Sequence, residues 1–129
     1  MPYQIIQEGQ RLCFTYWGNL TGVEFLESLR EHLPDPDEIK NIKVLLSDHS
    51  GVTSTDADSH VVRESAHMFK QLAEHSLDVK VAVIATSDLI YGFSRMWEVY
   101  MDGVPWPHMI FRSADEAEEW LQDESLSNL

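Results

Sequence analysis

Asp48, His49 and Ser50 place the three side-chain types of a serine-hydrolase triad in consecutive positions. A working triad needs an ordered nucleophile, base and orienting carboxylate, and adjacent side chains of one segment do not easily reach that geometry. The sequence also lacks a Gly-x-Ser-x-Gly elbow, a phosphate-binding loop and a dinucleotide-binding glycine motif. We therefore expect no enzymatic activity.

Metal binding is suggested by His60, Glu64 and His67, which would present three possible ligands on one helix face. The two histidines lie two turns apart, without the close ligand pair of strong zinc motifs. That face points away from the apolar stripe of the segment, so a solvated face is the better interpretation. Cys13, the single cysteine, lies in an apolar run and is expected to be a small buried residue. We expect neither a metal nor a cofactor.

Composition limits the class of protein and its partners. The 129 residues are 43% hydrophobic and 10% aromatic, which suits one domain over residues 1–122 and a frayed acidic tail over 123–129. Nine basic against 22 acidic residues give a net charge of -13, which repels phosphate backbones and anionic lipids. Nucleic acid and membranes are therefore not expected as partners. The single cysteine and the first ten residues, which lack a signal-peptide pattern, indicate a cytoplasmic protein.

The apolar pattern predicts strands and helices in the order β-β-α-β-α-β-α-β-α, an α/β fold with helices flanking a mixed sheet. Strands over residues 3–8 and 11–17 are joined by a glycine turn and open the fold as an antiparallel pair. Compact apolar runs over 42–47 and 79–85 predict central, parallel strands. An apolar stripe between them predicts a helix over about 56–75.

Helix starts are marked by capping residues. Thr21 with Glu24 and Ser113 with Glu116 form capping-box patterns, which predict the starts of the first and last helices. Ser87 is expected to cap the third helix.

The third helix is unusually apolar. Its predicted core face consists of Leu89, Phe93, Met96 and Tyr100. Further apolar side chains widen this surface, namely Ile90, Trp97, Met101 and, from the following loop, Trp106. The extra width has three interpretations: contact with a second subunit, closure of an apolar pocket, or simple burial on the sheet.

The less apolar side of that helix carries Tyr91, Arg95 and Glu98. Tyr91 and Arg95 lie one turn apart and suit recognition of an acidic group, although a solvated side with a weak local ion pair is favoured. Gly92 costs the helix about 1 kcal/mol relative to alanine, so we expect close packing against it.

The segment over residues 42–59 resembles the switch region of STAS domains of anti-sigma-factor antagonists, the SpoIIAA-like fold. The matching positions are Asp48, Ser50, Gly51 and Asp56. In switchable members of that family a kinase phosphorylates a serine in the turn that opens the second helix. In this register Asp58 stands at the serine position and Ser59 replaces the turn glycine. The resemblance covers nearly the whole chain and implies a STAS-like domain without the phosphorylatable serine.

Asp58 has two interpretations. A helix N-terminus stabilises an anion, so the carboxylate can imitate the phosphorylated state as a fixed charge. Alternatively, Asp56, Asp58 and Ser59 are ordinary residues that cap the second helix, and this interpretation is favoured.

The C-terminal half is similar to small stand-alone bacterial proteins grouped as STAS/SEC14-like. The matching residues are Ser87, Asp88, Leu89, Tyr91, Gly92, Arg95, Met96, Phe111, Arg112, Ala117, Trp120 and Leu121. This resemblance implies a fold and a lipid-carrier analogy, without a defined reaction or ligand.

The sequence therefore predicts a non-enzymatic regulatory or protein-interaction domain with an unknown protein partner, forming a homodimer through its third helix. The alternative is a protein that binds a small apolar, lipid-like ligand between that helix and the sheet, with Tyr91 or Arg95 at the mouth.

Overall fold

A computed structural model describes residues 2–122 of the 129-residue chain, so the tail predicted over 123–129 lies outside the described residues. The order of strands and helices is the predicted one, with one additional short 3-10 helix. The strands are β1 (Tyr3–Glu8), β2 (Arg11–Leu20), β3 (Val44–Thr55), β4 (Lys80–Ile84) and β5 (His108–Phe111). The helices are α1 (Gly22–His32), α2 (Ser59–Ala73), α3 (Asp88–Tyr100) and α4 (Ala114–Leu121), and the 3-10 helix is Glu38–Asn41.

The five strands form one mixed sheet in the order β1-β2-β3-β4-β5. β1 is antiparallel to β2, and the turn between them contains Gly9 with a φ of 60°, a left-handed conformation that suits glycine. The remaining neighbours are parallel, and parallel neighbours need crossover connections, which α1, α2 and α3 supply. The predicted mixed sheet, with β3 and β4 inside it and parallel, is confirmed.

The sheet is covered on both faces, but unequally. The larger core lies between one face and α1, α2 and α3, which pack side by side. The smaller core lies on the opposite face under α4, and it contains Ala82, Ile84, Phe111 and Ala117. The Arg11 guanidinium pairs with the Glu118 carboxylate at 2.6 Å and ties α4 to the start of β2. Most of the apolar burial therefore lies on the three-helix side.

Each of the four described α-helices begins at a side-chain cap. Thr21, Asp58, Ser87 and Ser113 each accept a hydrogen bond from a backbone N–H of the first turn. The predicted box of Thr21 is complete, since both halves are present. Because β2 to β5 are parallel and each precedes a helix, all four helix N-termini lie at one edge of the sheet. We call it the carboxyl edge.

β3 extends well beyond the strand predicted over residues 42–47. The predicted carboxyl end of this strand is therefore wrong. Its second half continues to Thr55 and pairs with the end of β2, with Trp17 opposite Gly51 and Leu20 opposite Thr55. Two register shifts interrupt this pairing. The residues there are mostly polar because their side chains face solvent, while Val52 is buried and the backbone pairs with β2.

The predicted core face of α3 is wrong at Leu89, and its other residues lie at the edge of the buried face. The buried residues are Ile90, Ser94 and Trp97, followed by Met101 just beyond the helix, whereas Leu89 is 51% exposed. Phe93, Met96 and Tyr100 are half-buried at the border of the core. The buried face of α3 is centred on the side that contains Ser94. Because serine is polar, the apolar pattern of the sequence does not reveal this face.

Trp106 lies in the loop after α3 and is 1% exposed. Its indole Nε1 donates to the Ser76 carbonyl oxygen at 2.5 Å, and its ring contacts Phe69 with centroids 6.3 Å apart. The wide apolar surface of α3 and its loop is thus largely buried within the chain. Among the described helices, none has the length and apolarity needed to cross a membrane.

Candidate functional site

A cavity of about 90 Å³ lies between the sheet and the layer of α1, α2 and α3. None of the described residues that line it is aspartate, glutamate, lysine or arginine. Its apolar wall includes Val81 and Val83 from β4, Val62 and Phe69 from α2, and Ile90 and Trp97 from α3. A partly open, mostly apolar space with a few polar groups is a usual form of a small-molecule site, so this cavity is the candidate site.

The polar part of the lining comes mainly from β3. Side chains two apart share a face of a strand, so Leu45, Ser47 and His49 all face the three-helix side. Ser47 Oγ and His49 Nε2 are 2.8 Å apart and form a hydrogen bond. This Ser47–His49 pair places two adjoining polar groups in a mostly apolar lining.

Aromatic rings hold the imidazole of His49. It stacks on Tyr16 with ring centroids 4.8 Å apart and planes 17° apart, and Phe25 lies at 5.7 Å. Burial lowers the pKa of His49 to about 4, against the opposing effect of the neighbouring Asp48 carboxylate. His49 is therefore neutral at neutral pH, and the pair carries no charge.

Tyr16 has a structural role beside the cavity. The Ser28 hydroxyl donates to the Phe25 carbonyl oxygen at 2.6 Å, so its oxygen accepts the proton of the Tyr16 hydroxyl, also at 2.6 Å. Burial raises the pKa of Tyr16, so the phenol stays protonated. The hydrogen bond fastens α1 to β2 and is not directed at a ligand.

The first three predicted switch positions lie in a strand and not in a loop. Asp48, Ser50 and Gly51 belong to β3, and an Asp48 carboxylate oxygen accepts from the Ser50 N–H at 2.9 Å. A Cβ on Gly51 would lie 2.9 Å from the Trp17 Cβ and 3.1 Å from the Tyr16 carbonyl oxygen. Gly51 therefore permits the close approach of β2.

Asp56 does not cap the helix that follows it, so that prediction is wrong. α2 begins three residues later, at Ser59. The Asp56 carboxylate instead accepts the backbone N–H of Gly22 at 2.7 Å, at the first residue of α1. A Cβ on Gly22 would lie 2.7 Å from a methyl of Val61, so the starts of α1 and α2 are packed tightly together.

Asp58 is the N-cap of α2, as the favoured interpretation expected. It has an extended backbone, and its carboxylate accepts from the Val61 N–H at 3.1 Å. The side chains of Asp58 and Ser59 are exposed at the carboxyl edge.

Only part of the predicted set on α3 belongs to the cavity. Ile90 and Trp97 line it, whereas Met101 and Trp106 are buried elsewhere in the core. Since all four are at most 7% exposed, they do not form a surface for a second subunit, and the interface predicted through them is wrong.

Tyr91 and Arg95 are not at the cavity mouth, contrary to the prediction. The guanidinium of Arg112 lies 4.6 Å from the Tyr91 ring centroid, and it also pairs with Asp88 at 2.8 Å. Arg95 is exposed and pairs with Glu98 at 3.3 Å, which is the favoured local ion pair.

Gly92 has no close neighbour. A Cβ built there meets no heavy atom within 4 Å, and the residue is exposed. The predicted close packing is wrong, and Gly92 lies outside the cavity lining.

The histidine face of α2 is solvated. His60 and His67 are exposed, and Glu64 is half-buried. Within residues 2–122, no group of three or more His, Cys, Asp or Glu side chains is placed to hold a metal ion.

Ser47 and His49 are site residues that the sequence pattern does not identify, since His49 stands out there only as part of the Asp48-His49-Ser50 run. The available signal was the alternation of Leu45, Ser47 and His49, which continues the buried face of the strand into polar residues. Reading the strand as ended at Ser47 removed that signal.

Comparison with known proteins shows the fold. No protein-family model matches the chain, and no curated protein sequence matches it. Among solved structures, it is similar to the anti-sigma factor antagonist SpoIIAA in its unphosphorylated form. The TM-score is 0.55 at 14% sequence identity, over 94% of this chain and 98% of that chain. The predicted SpoIIAA-like, STAS-type fold is confirmed, while the finer resemblance to stand-alone STAS/SEC14-like proteins stays a prediction.

Proposed function

We propose that this chain is a non-enzymatic regulatory domain that acts by binding a protein partner in the cytoplasm. The observation that carries the proposal is the SpoIIAA-like fold over 94% of the chain, shared with a protein described as an anti-sigma factor antagonist. Residues 1–122 are the proposed domain. Fold similarity is an argument by analogy, so the partner surface has to be argued from this chain's own residues.

The carboxyl edge is the proposed partner surface. Val23 in the first turn of α1 is 67% exposed, and Leu89 in the first turn of α3 is 51% exposed. Exposed acidic residues, Asp56 and Asp58, lie at the same edge. Exposed apolar and acidic side chains at one edge suit a partner surface that combines apolar and basic residues. The net charge of -13 also favours a basic partner.

Within this proposal Asp58 acts as a permanent charge at the position where the STAS resemblance places a phosphorylated serine. Its cap hydrogen bond and its charge are separable, because asparagine keeps the acceptor oxygen and loses the charge. Asp58→Asn should leave the melting temperature nearly unchanged and weaken partner binding. Equal binding by the wild type and Asp58→Asn would reduce Asp58 to a cap.

Site-specific crosslinking tests the partner surface. A photoreactive residue at Val23 or at Leu89 should capture the same protein in cells. The matched control is position 77, because Leu77 is 70% exposed but follows α2, at the opposite edge of the sheet.

The captured protein is then purified, and its affinity is measured by calorimetry for the wild type and for Val23→Glu. Weaker binding by Val23→Glu would support the surface. The partner surface would be refuted if positions 23 and 77 captured the protein equally. It would also be refuted if Val23→Glu left the affinity unchanged.

A homodimer belongs to the same proposal, through a surface other than α3. Ile6 and Trp17 are 41% and 42% exposed on the sheet face that α4 covers only in part. Light scattering should then give twice the 14.8 kDa mass of the chain, reduced to one chain in an Ile6→Glu, Trp17→Glu variant. A single-chain mass for the wild type would exclude the dimer.

Binding of a small apolar ligand is the second candidate function, and the cavity under α1, α2 and α3 favours it. The cavity reaches the carboxyl edge at Thr55, Ala57 and Val61, so a ligand there would lie beside the proposed partner surface.

A further inference from the structure

We propose that the cavity under α1, α2 and α3 binds a neutral, mostly apolar molecule of a few non-hydrogen atoms with one hydroxyl or carbonyl group, hydrogen-bonded to the Ser47–His49 pair. This inference rests on the second candidate function and names its ligand class.

The lining selects a neutral ligand. The polar side chains that line the cavity are those of Ser47, His49, Thr55, Ser65 and Ser94, and none of them is charged at neutral pH. A carboxylate or ammonium group would lose its hydration without gaining an ionic partner, a large free-energy cost. A molecule whose charged group must lie within this lining is therefore a poor ligand.

The Ser47–His49 pair can serve a hydroxyl or a carbonyl group. If the Ser47 hydroxyl donates to His49 Nε2, the serine oxygen keeps lone pairs that accept from a ligand hydroxyl. In the other tautomer His49 Nε2–H donates to Ser47, and the serine proton is available to a ligand carbonyl. Ser65 is already engaged, since its hydroxyl donates to the Val62 carbonyl oxygen at 2.7 Å. We take the Ser47–His49 pair as the polar anchor, because its two polar groups adjoin each other in the lining.

Size limits the ligand further. The cavity volume of about 90 Å³ is smaller than the roughly 150 Å³ of an apolar cavity that holds benzene. A short-chain alcohol or ketone fits this space, whereas a lipid with long chains does not.

The test uses n-butanol, n-butyrate and xenon as probes of the intact protein, followed by backbone amide NMR. We expect n-butanol and xenon to shift the amides of Ser47, Val83 and Trp97 saturably, while n-butyrate at equal concentration does not. n-Butanol reports the polar anchor together with the cavity, and xenon reports the cavity alone.

Three variants separate these contributions. Ser47→Ala should weaken n-butanol binding about fivefold, the factor expected from losing one neutral hydrogen bond, and leave xenon binding unchanged. Ser94→Leu fills the lining and should abolish both. Ser54→Ala is the matched control, because Ser54 is an exposed serine on the same strand.

The outcomes distinguish the two levels of the proposal. If neither n-butanol nor xenon binds the wild type, the second candidate function fails. If xenon binds but n-butanol does not, or n-butyrate binds as well as n-butanol, the cavity binds ligands but the ligand class is wrong. The polar anchor is also overturned if Ser47→Ala changes the affinity for n-butanol no more than the control Ser54→Ala does. The comparison of probes on the wild type holds even if a variant fails to fold.

Discussion

The imidazole of His49 lies against the rings of Tyr16 and Phe25 and bonds to Ser47, and this environment favours its neutral form. A charged imidazolium there would lose hydration that two aromatic neighbours and a hydroxyl do not replace. Asp48, next in the chain, favours the charged form but is outweighed by burial. Protonation of His49 therefore destabilises the folded state relative to the unfolded chain.

The lowered pKa of His49 predicts that the stability of the fold depends on pH. The pKa of His49 is about 4 in the folded state against 6.5 for an unperturbed histidine, so the unfolded chain binds the proton first as pH falls. The stability contributed by neutral His49 is complete above pH 6.5 and is lost as pH falls toward 4. At about 1.4 kcal/mol per pKa unit, the loss is about 3 kcal/mol. The free energy of unfolding, measured with urea between these pH values, should fall less with decreasing pH in His49→Gln than in the wild type.

Proton NMR of the imidazole resonances checks the same pKa directly. The chain has six histidines, and the His49→Gln spectrum identifies the resonance of His49. That resonance should begin to move only as the pH approaches 4. A midpoint near 6.5 would show that burial does not govern His49.

At the scale of elements, the contact of β2 with the second half of β3 is the arrangement that the sequence analysis did not anticipate. The glycine at position 51 lets the strands approach, and Asp56, just beyond β3, bonds to the first residue of α1. The residues that resemble a phosphorylation loop therefore join β2, β3, α1 and α2. In this chain they are part of the architecture, whatever further role they have in binding.

Two glycines within regular elements should respond oppositely to substitution by alanine. Gly51→Ala places a Cβ 2.9 Å from the Trp17 Cβ and near the backbone of β2, so we expect a loss of about 1–3 kcal/mol. Gly92→Ala meets no atom within 4 Å in an exposed helix position, so we expect a gain of about 1 kcal/mol. Denaturant unfolding measures both changes. Destabilisation by Gly92→Ala would mean that something does pack against that helix surface.

The bond from Asp56 to α1 should stabilise the fold more than its exposed position suggests. Asp56→Ala leaves the Gly22 N–H without its carboxylate, and we expect a loss of about 1 kcal/mol, as for a helix cap. Asp56→Asn should recover much of this loss, because the amide oxygen can accept the same bond. Asp37→Ala, whose side chain makes no cap hydrogen bond, is the control for charge removal. Thermal unfolding that orders these variants differently would contradict the proposed bond.

At the scale of the whole molecule, the fold places three helices on one face of the sheet and α4 on the other. The carboxyl edge collects all four helix N-termini, where acidic side chains are favoured by the helix dipoles. The net charge of -13 nevertheless makes the compact state repel itself.

This self-repulsion predicts that sodium chloride stabilises the protein. Raising the salt from about 10 mM to about 300 mM shortens the screening length, so the melting temperature should rise by a few degrees. Differential scanning calorimetry measures the change, and potassium chloride should act equally because the effect is one of ionic strength. A melting temperature that falls with salt would mean that the ion pairs, such as Arg11 with Glu118, outweigh the repulsion.

The order of the elements and the starts of α1, α3 and α4 follow from the sequence alone. Capping pairs such as Thr21 with Glu24 act within one helical turn, and apolar periodicity reports on neighbours along the chain. Local interactions of this kind are complete in a short segment, so they can be read without the fold.

The buried face of α3, the end of β3 and the surroundings of His49 follow only from the packed fold. Ser94 lies in the buried stripe of α3 and lines the cavity, and the polar half of β3 is a strand because β2 pairs with it. The neutral state of His49 depends on Tyr16 and Phe25, from β2 and α1. These features depend on residues distant in the chain that meet only when the sheet and helices pack, and for that reason local patterns did not contain them.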